Sequence, residues 1–338
     1  PSFSFTFDTW HQLRQRLFEE PARRGAAGVI IVYDMAWERT RGLYSFPVPE
    51  LYDSPTLVLS REDGARVIED AKAGKSATLR LEATIETSET YQLIAHLPGR
   101  NYGTPDDEEI VLVNHTDGLS ISQDNGALGL LGIVKYYSHI PQEHRPRTLT
   151  IYLDCRHVMP GMEDAYNDET WLNRYPEARE NIVGVIHMEH LGELDHREVD
   201  GRVEATGLAE QSYLWVRNNE VLIDAAIDAV RKYGWSRAMV SAPERPGRQG
   251  GIQQLWWGVG EIALRKPSYS GGLYENDCYK WHCLDVPAFG LGGFLGFYYH
   301  IYSDIERWDI DQHLAQTATM TELTGVLMIS DLDEIRPE

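Results

Sequence analysis

Three apolar runs, each of a length suited to a buried strand, lead directly into groups that can bind a metal or move a proton: "EIVLVNH" (109–115), "TLTIYLDC" (148–155) and "IVGVIHMEH" (182–190). Segments of helical period separate or follow them, at 125–140, "NEVLIDAAIDAVRKYG" (219–234) and 309–330, with a further strand-like run "VPAFGLGG" at 286–293. Parallel strands need crossover connections, usually helices, so this alternation predicts an α/β fold of three α/β/α layers around a mixed, mostly parallel sheet covered on both faces. In such a sheet a ligand site forms in the crevice beyond the carboxyl ends of the strands.

The first quarter reads differently. Residues 8–20 have the spacing of an amphipathic helix, "GAAGVIIVYD" (25–34) and "SPTLVLS" (54–60) read as buried strands, and "REDGARVIEDAKAG" (61–74) reads as a helix ended by Gly74. This is a smaller α/β module over 1–77, followed by a larger domain over 78–338 that opens with long alternating strands across 78–99 and a turn at Pro98 and Gly99.

A formal net charge of -21 opposes binding to a phosphate backbone or an anionic bilayer. Nucleic acid is not an expected partner. No run reaches the length of a membrane-spanning helix, and "PSFSFTFDTW" lacks the layout of a signal peptide. The three cysteines allow at most a local Cys278–Cys283 bridge with Cys155 left over, which leaves the redox compartment open.

The candidate ligands stand where the strand-end rule puts them: His115, His157, Glu189, and His300 after "FLGFYY". Imidazole and carboxylate together suit zinc, one ion or two, and Asp124 at a helix start offers a further, bridging oxygen. A single histidine of this kind is more often a hydrogen-bonded core residue. The joint placement of several at strand ends reverses that weighting. Asp117 is placed to orient the His115 ring, as an acid behind a ligating imidazole does, although an acid before Gly118 also fits a turn. Asp124 also fits a helix cap.

The segments "NHTD…QDNGALGLL", "LDCRHVMPG", "HMEHLGE" and "YYHIYSDIERWD" resemble, in order and context, the signature segments of the co-catalytic zinc aminopeptidase family, which includes aminopeptidase Y, glutamate carboxypeptidase II and glutaminyl cyclase. The resemblance covers about 78–330. It implies that His115 and His300 are ligands, Asp124 the bridging carboxylate and Asp117 an orienting group, with Asp304 near His300. "RRGAAGVIIVYD…SPTLVLSREDGARVIEDAKAG" is similar to the protease-associated domain inserted into several members, the transferrin receptor among them. That likeness implies further sequence upstream of Pro1, or on a second chain, to complete the module, and it favours a secreted or extracytoplasmic setting.

The paired glutamates of the family are missing. The general base aligns with Arg156, and the ligand after it with His157, while Glu189 stands where the family has a ligand aspartate. Histidine still offers zinc a lone pair, but arginine stays protonated and serves as an anion or oxyanion partner rather than a base. Substitute carboxylates are Glu163 and Asp164 in "PGMEDAY" and Glu275 in "GGLYEND", although most such acids are simply solvated. His190, Tyr298 and Tyr299 are alternative acid or base groups whose ordinary role is packing. The stretch 250–283, rich in Trp, Tyr and Gly, reads as a loop walling a binding site for an aromatic, apolar or sugar-like group, or as one packed onto the core. The sequon at Asn114 closes a buried strand, and the Gly-rich run 290–296 lacks the context of a nucleotide loop, so neither is read as functional.

The expectation is a zinc-dependent hydrolase acting on a peptide or amide bond with a metal-activated water. A zinc-assisted lyase, isomerase or cyclase of small molecules is the close rival because the base is missing. A non-catalytic family member that binds without turnover is the third reading. A peptide or small-molecule substrate and a second copy of the chain are the partners expected.

Overall fold

A computed structural model describes residues 15–40, 55–84, 86–89, 91–116, 125–155, 175, 177–242, 286–293 and 308–337. Its centre is a seven-stranded sheet in the order β10-β9-β11-β6-β4-β5-β3. The strands are β3 (Leu93–Leu97), β4 (Glu109–His115), β5 (Thr148–Asp154), β6 (Ile182–Met188), β9 (Ser212–Val216), β10 (Ala238–Ser241) and β11 (Ala288–Gly293). The pairs β4/β5, β4/β6, β6/β11 and β9/β10 are parallel, while β9/β11 and β3/β5 are antiparallel. The sheet is mixed and mostly parallel, as the alternation of elements predicts.

Three long helices lie against it: α2 (Gly126–Ser138), α3 (Glu220–Tyr233) and α4 (Ile310–Ile329), with α4 in contact with both of the others. Their apolar faces meet the strands through Leu130, Ile133, Leu222, Ala226, Met320, Leu323 and Leu327, all buried with Ile110, Leu112, Ile186 and Phe289. Every residue of β4 is buried. Successive strand residues point to opposite faces, so the second face is covered as well as the first, as a parallel sheet requires. Asn219 caps α3 by accepting from the backbone N–H of Val221 and Leu222, and Gly234 ends it at φ 68°. None of the described helices is long and apolar enough to cross a membrane.

Ahead of the sheet, β1 (Val29–Val32) and β2 (Thr56–Leu59) pair in parallel, and α1 (Arg61–Lys72) packs on them, capped by Ser60. The long strands expected across 78–99 shorten to β3. Residues 78–84 and 86–89 have no regular structure and are largely exposed. Alternation alone does not make a strand, because the backbone N–H and C=O groups need a ladder partner, and only 93–97 lies against β5. Of the helix expected over 8–20, residues 8–14 lie outside the described part, and the rest forms a π-turn and one short helical turn (Gln15–Glu19, Glu20–Arg23).

The hairpin β7 (Leu194–Val199) and β8 (Arg202–Ala209) is not among the elements expected from the sequence. Its signal is "VDGRV": Asp200 and Gly201, at φ 49° and 77°, form the two-residue loop with both central residues left-handed that an Asp-Gly pair favours. The hairpin reaches the segments that follow β1 and β2. Glu198 accepts from the Ala36 backbone N–H at 3.0 Å and from Arg61 at 2.7 Å, while Glu38 accepts from the Val203 N–H at 2.7 Å. The Ala36 N–H bond and then the Arg61 guanidinium hold the Glu198 carboxyl below its ordinary range.

Candidate active site

The register of two neighbouring strands brings the described candidate ligands together. Val113 of β4 lies opposite His187 of β6 in a parallel pair, so two residues further on His115 and Glu189 arrive side by side at the carboxyl end of the sheet. Both are buried, and His115 Nε2 stands 3.0 Å from Glu189 Oε1. Both are among the ligands expected from the sequence. Among the other groups named there, Asp117, Asp124, Arg156, His157, Glu163, Asp164, Glu275, Tyr298, Tyr299, His300 and Asp304 lie outside the described residues, as do the 250–283 loop, Cys278 and Cys283.

Two further imidazoles surround the carboxylate. His190 Nε2 is 2.9 Å from Glu189 Oε1 and its Nδ1 is 3.8 Å from Glu193 Oε1, while His187 Nε2 is 3.7 Å from Glu189 Oε2. Burial alone raises the Glu189 carboxyl, but the His190 charge and the hydrogen bonds from His115 and His190 outweigh it and hold the group well below the ordinary carboxylate range. Burial alone lowers His190, and there the Glu189 charge and the bonds to Glu189 and Glu193 win, raising it to about 9. The negative charge of Glu189 is thus kept in a dry place.

His190 carries this contact from a left-handed backbone, φ 55°, which a non-glycine residue adopts at a cost of about 1 kcal/mol or more. The turn that follows has almost no freedom. Gly192, at φ 68°, lies so close to Asp309 and His313 that a Cβ there would meet the Asp309 carbonyl oxygen at 2.5 Å. The Glu189 N–H donates to the Leu291 carbonyl at 3.0 Å and the Asp309 N–H to the Gly192 carbonyl at 2.6 Å. Asn125 closes both backbone groups of Leu191, accepting from its N–H at 2.8 Å and donating to its carbonyl at 2.5 Å. Gln316 of α4 accepts from the Gly192 N–H at 2.7 Å.

Asn125 occupies the cap position of α2, where its backbone carbonyl accepts from Leu128 and Gly129 but its side chain makes no cap bond. "DNG" reads as a cap in the sequence, yet the Asn125 side chain is spent on Leu191, a use visible only in three dimensions. Gln316 carries no sequence signal at all.

Behind the turn, His313 packs edge-on against Trp308, ring centroids 5.1 Å apart, and burial lowers its pKa to about 4. The unfolded imidazole binds a proton near pH 6.5 and the folded one only near 4, so between these values the unfolded state holds more protons and stability falls as pH falls. The full window corresponds to at most about 3 kcal/mol. Comparing urea unfolding of the wild type and His313→Asn from pH 7 to 4 should show a shallower loss in the variant. Parallel curves would remove His313 from the acid response.

The donor types fit zinc. A charged carboxylate oxygen and an imidazole nitrogen, both buried, stand close to the roughly 3.3 Å that separates neighbouring donors in a tetrahedral site with zinc-to-ligand distances of about 2.0 Å. Among the described residues no three His, Cys, Asp or Glu side chains form a group that could hold an ion.

No family model matches the chain. No curated protein matches it in sequence. Solved structures do match in fold. A zinc aminopeptidase from Bacillus subtilis superposes with a TM-score of 0.55 at 11% identity, over 95% of this chain and 69% of that one. The peptidase M28 precursor from Shewanella amazonensis gives 0.54 at 17% identity, over 97% and 65%. A glutaminyl cyclase from Fimbriiglobus ruber gives 0.42 at 10% identity, over 71% and 75%. This chain therefore has the fold of the zinc aminopeptidases, and it spans about two thirds of the length of the first two proteins.

Proposed function

We propose that the chain is a zinc-dependent hydrolase of a peptide or amide bond, holding zinc through His115 and Glu189 together with Asp124, His157 and His300. The observation that carries this reading is the meeting of the His115 imidazole and the ionised Glu189 carboxylate, both buried, at the carboxyl end of a sheet whose fold is shared with zinc aminopeptidases. Bound zinc supplies a Lewis acid for the scissile carbonyl and a water activated at neutral pH. The chain's own residues hold Glu189 ionised, keep bulk water from it and fix its direction. Asp117 orients His115, and Arg156 binds the anionic end of a substrate or the developing oxyanion. Glu163 and Glu275 are the carboxylates proposed to move the proton that the missing family glutamate would move. The first module is proposed to be a protease-associated domain.

Arg156 at the position of the general base favours one second reading, a zinc-assisted lyase, isomerase or cyclase acting on a small molecule.

Protein purified without added metal should contain about one zinc or more per chain and cleave aminoacyl p-nitroanilides. A chelator should abolish cleavage and zinc should restore it. Zinc without hydrolysis of any peptide or anilide would favour the second reading. No zinc, even when it is offered, would end both.

A further inference from the structure

We infer that Asn125 and Gln316 are positioning residues for the Glu189 ligand, clamping the turn 189–192 from two helices at once. The inference rests on the proposed metal site and deepens it. Glu189 lies one residue beyond the end of β6, and the ladder holds it only through its N–H on the Leu291 carbonyl, so the direction of its carboxylate depends also on whatever fixes the next three residues. Asn125, at the head of α2, takes both backbone groups of Leu191; Gln316, in the second turn of α4, takes the N–H of Gly192. Both side chains are buried, at 1% and 4% exposure, so water does not replace a lost bond.

Gln316 is itself aimed. Its Nε2 donates to Ser212 Oγ at 3.3 Å, and that oxygen accepts from Trp235 Nε1 at 2.7 Å. The Gln316 oxygen is thereby turned toward Gly192 rather than the nitrogen, and the turn is tied through Ser212 to β9.

The test separates position from stability by using two replacements that move them in opposite directions. Gln316→Met fills the same space without an acceptor for Gly192. Gln316→Glu keeps the acceptor but buries a charge beside Ser212, at a cost in stability. Zinc affinity is measured on the full chain by competition with a chromophoric chelator, beside thermal unfolding of the zinc-free forms. Expected is a tenfold or greater loss of affinity in Gln316→Met, in the range of roughly 10–100-fold for an outer partner of a ligand. Gln316→Glu should stay within about threefold of wild type although it melts lower. Asn125→Asp, which keeps the acceptor for the Leu191 N–H but sets a carboxylate against the Leu191 carbonyl, should lose at least tenfold and serves if Gln316→Met fails to fold.

If affinity follows melting temperature across the variants, or all bind zinc as the wild type does, the positioning role is overturned while the metal site stands. If the wild type itself takes up no zinc, the site and the positioning role fall together.

Discussion

Glu189→Gln should leave the protein with less than about a tenth of a zinc ion per chain and without measurable hydrolysis, a larger loss than the roughly 100-fold expected of an outer partner. The substitution changes one oxygen to an amide nitrogen and hardly alters volume. What it removes is the negative charge that His115 and His190 face at 3.0 and 2.9 Å. A glutamine can accept from one imidazole through its oxygen, but it presents a donor elsewhere and has no charge to attract a dication. The raised pKa of His190 rests first on the same carboxylate, with Glu193 the lesser cause, so it should fall in the variant. Glu189→Asp tests the length of the stem. It keeps the charge but withdraws the carboxylate from His115, and its zinc content should fall between those of wild type and Glu189→Gln. Near-stoichiometric zinc in Glu189→Gln would remove Glu189 from the ligand set.

How far the sequence discloses this arrangement depends on the range of the interaction concerned. The strand ends were legible because β4, β5, β6 and β11 are buried rows of apolar residues, and the boundaries of β4 coincide with those expected. His115 and Glu189 were legible because each follows such a row directly. The hairpin β7–β8 gives little signal despite the Asp-Gly pair at its tip, because β7 is mostly polar and neither strand has a clean alternation. The described residues of 78–92 show the reverse case, alternation without a pairing partner. Gln316 illustrates the real limit: a glutamine in the second turn of a helix is neutral to every local rule, and its value comes from a backbone N–H 124 residues away. The choice of His190 for a left-handed position is equally silent in the sequence, since that conformation is imposed by the turn that Gly192 completes.

Gly126→Ala should unfold the site, with a loss of about 3 kcal/mol or more and of zinc binding, although glycine to alanine inside a helix ordinarily stabilises by up to about 1 kcal/mol. A Cβ on Gly126 would lie 1.9 Å from the Met188 carbonyl oxygen and 2.0 Å from Asn114 Nδ2, both buried at the ends of β6 and β4. Neither neighbour can yield: one is backbone in a central strand, and the other is an asparagine whose oxygen accepts from the His115 N–H at 2.5 Å. The head of α2 must therefore retreat from the sheet, and Asn125, with one of the shortest amide side chains available, no longer reaches both groups of Leu191. Gly132→Ala is the control. It lies on the same helix, and its Cβ meets only Thr317 Cγ2 at 3.1 Å, a side-chain methyl, so its stability should remain within about 1 kcal/mol of wild type. Calorimetry of the two variants decides the matter: equal melting temperatures would mean that α2 accommodates the extra methyl group. A low value for Gly126→Ala alone would show that the contact between helix and strand ends sets the spacing on which Asn125, Leu191 and Glu189 depend.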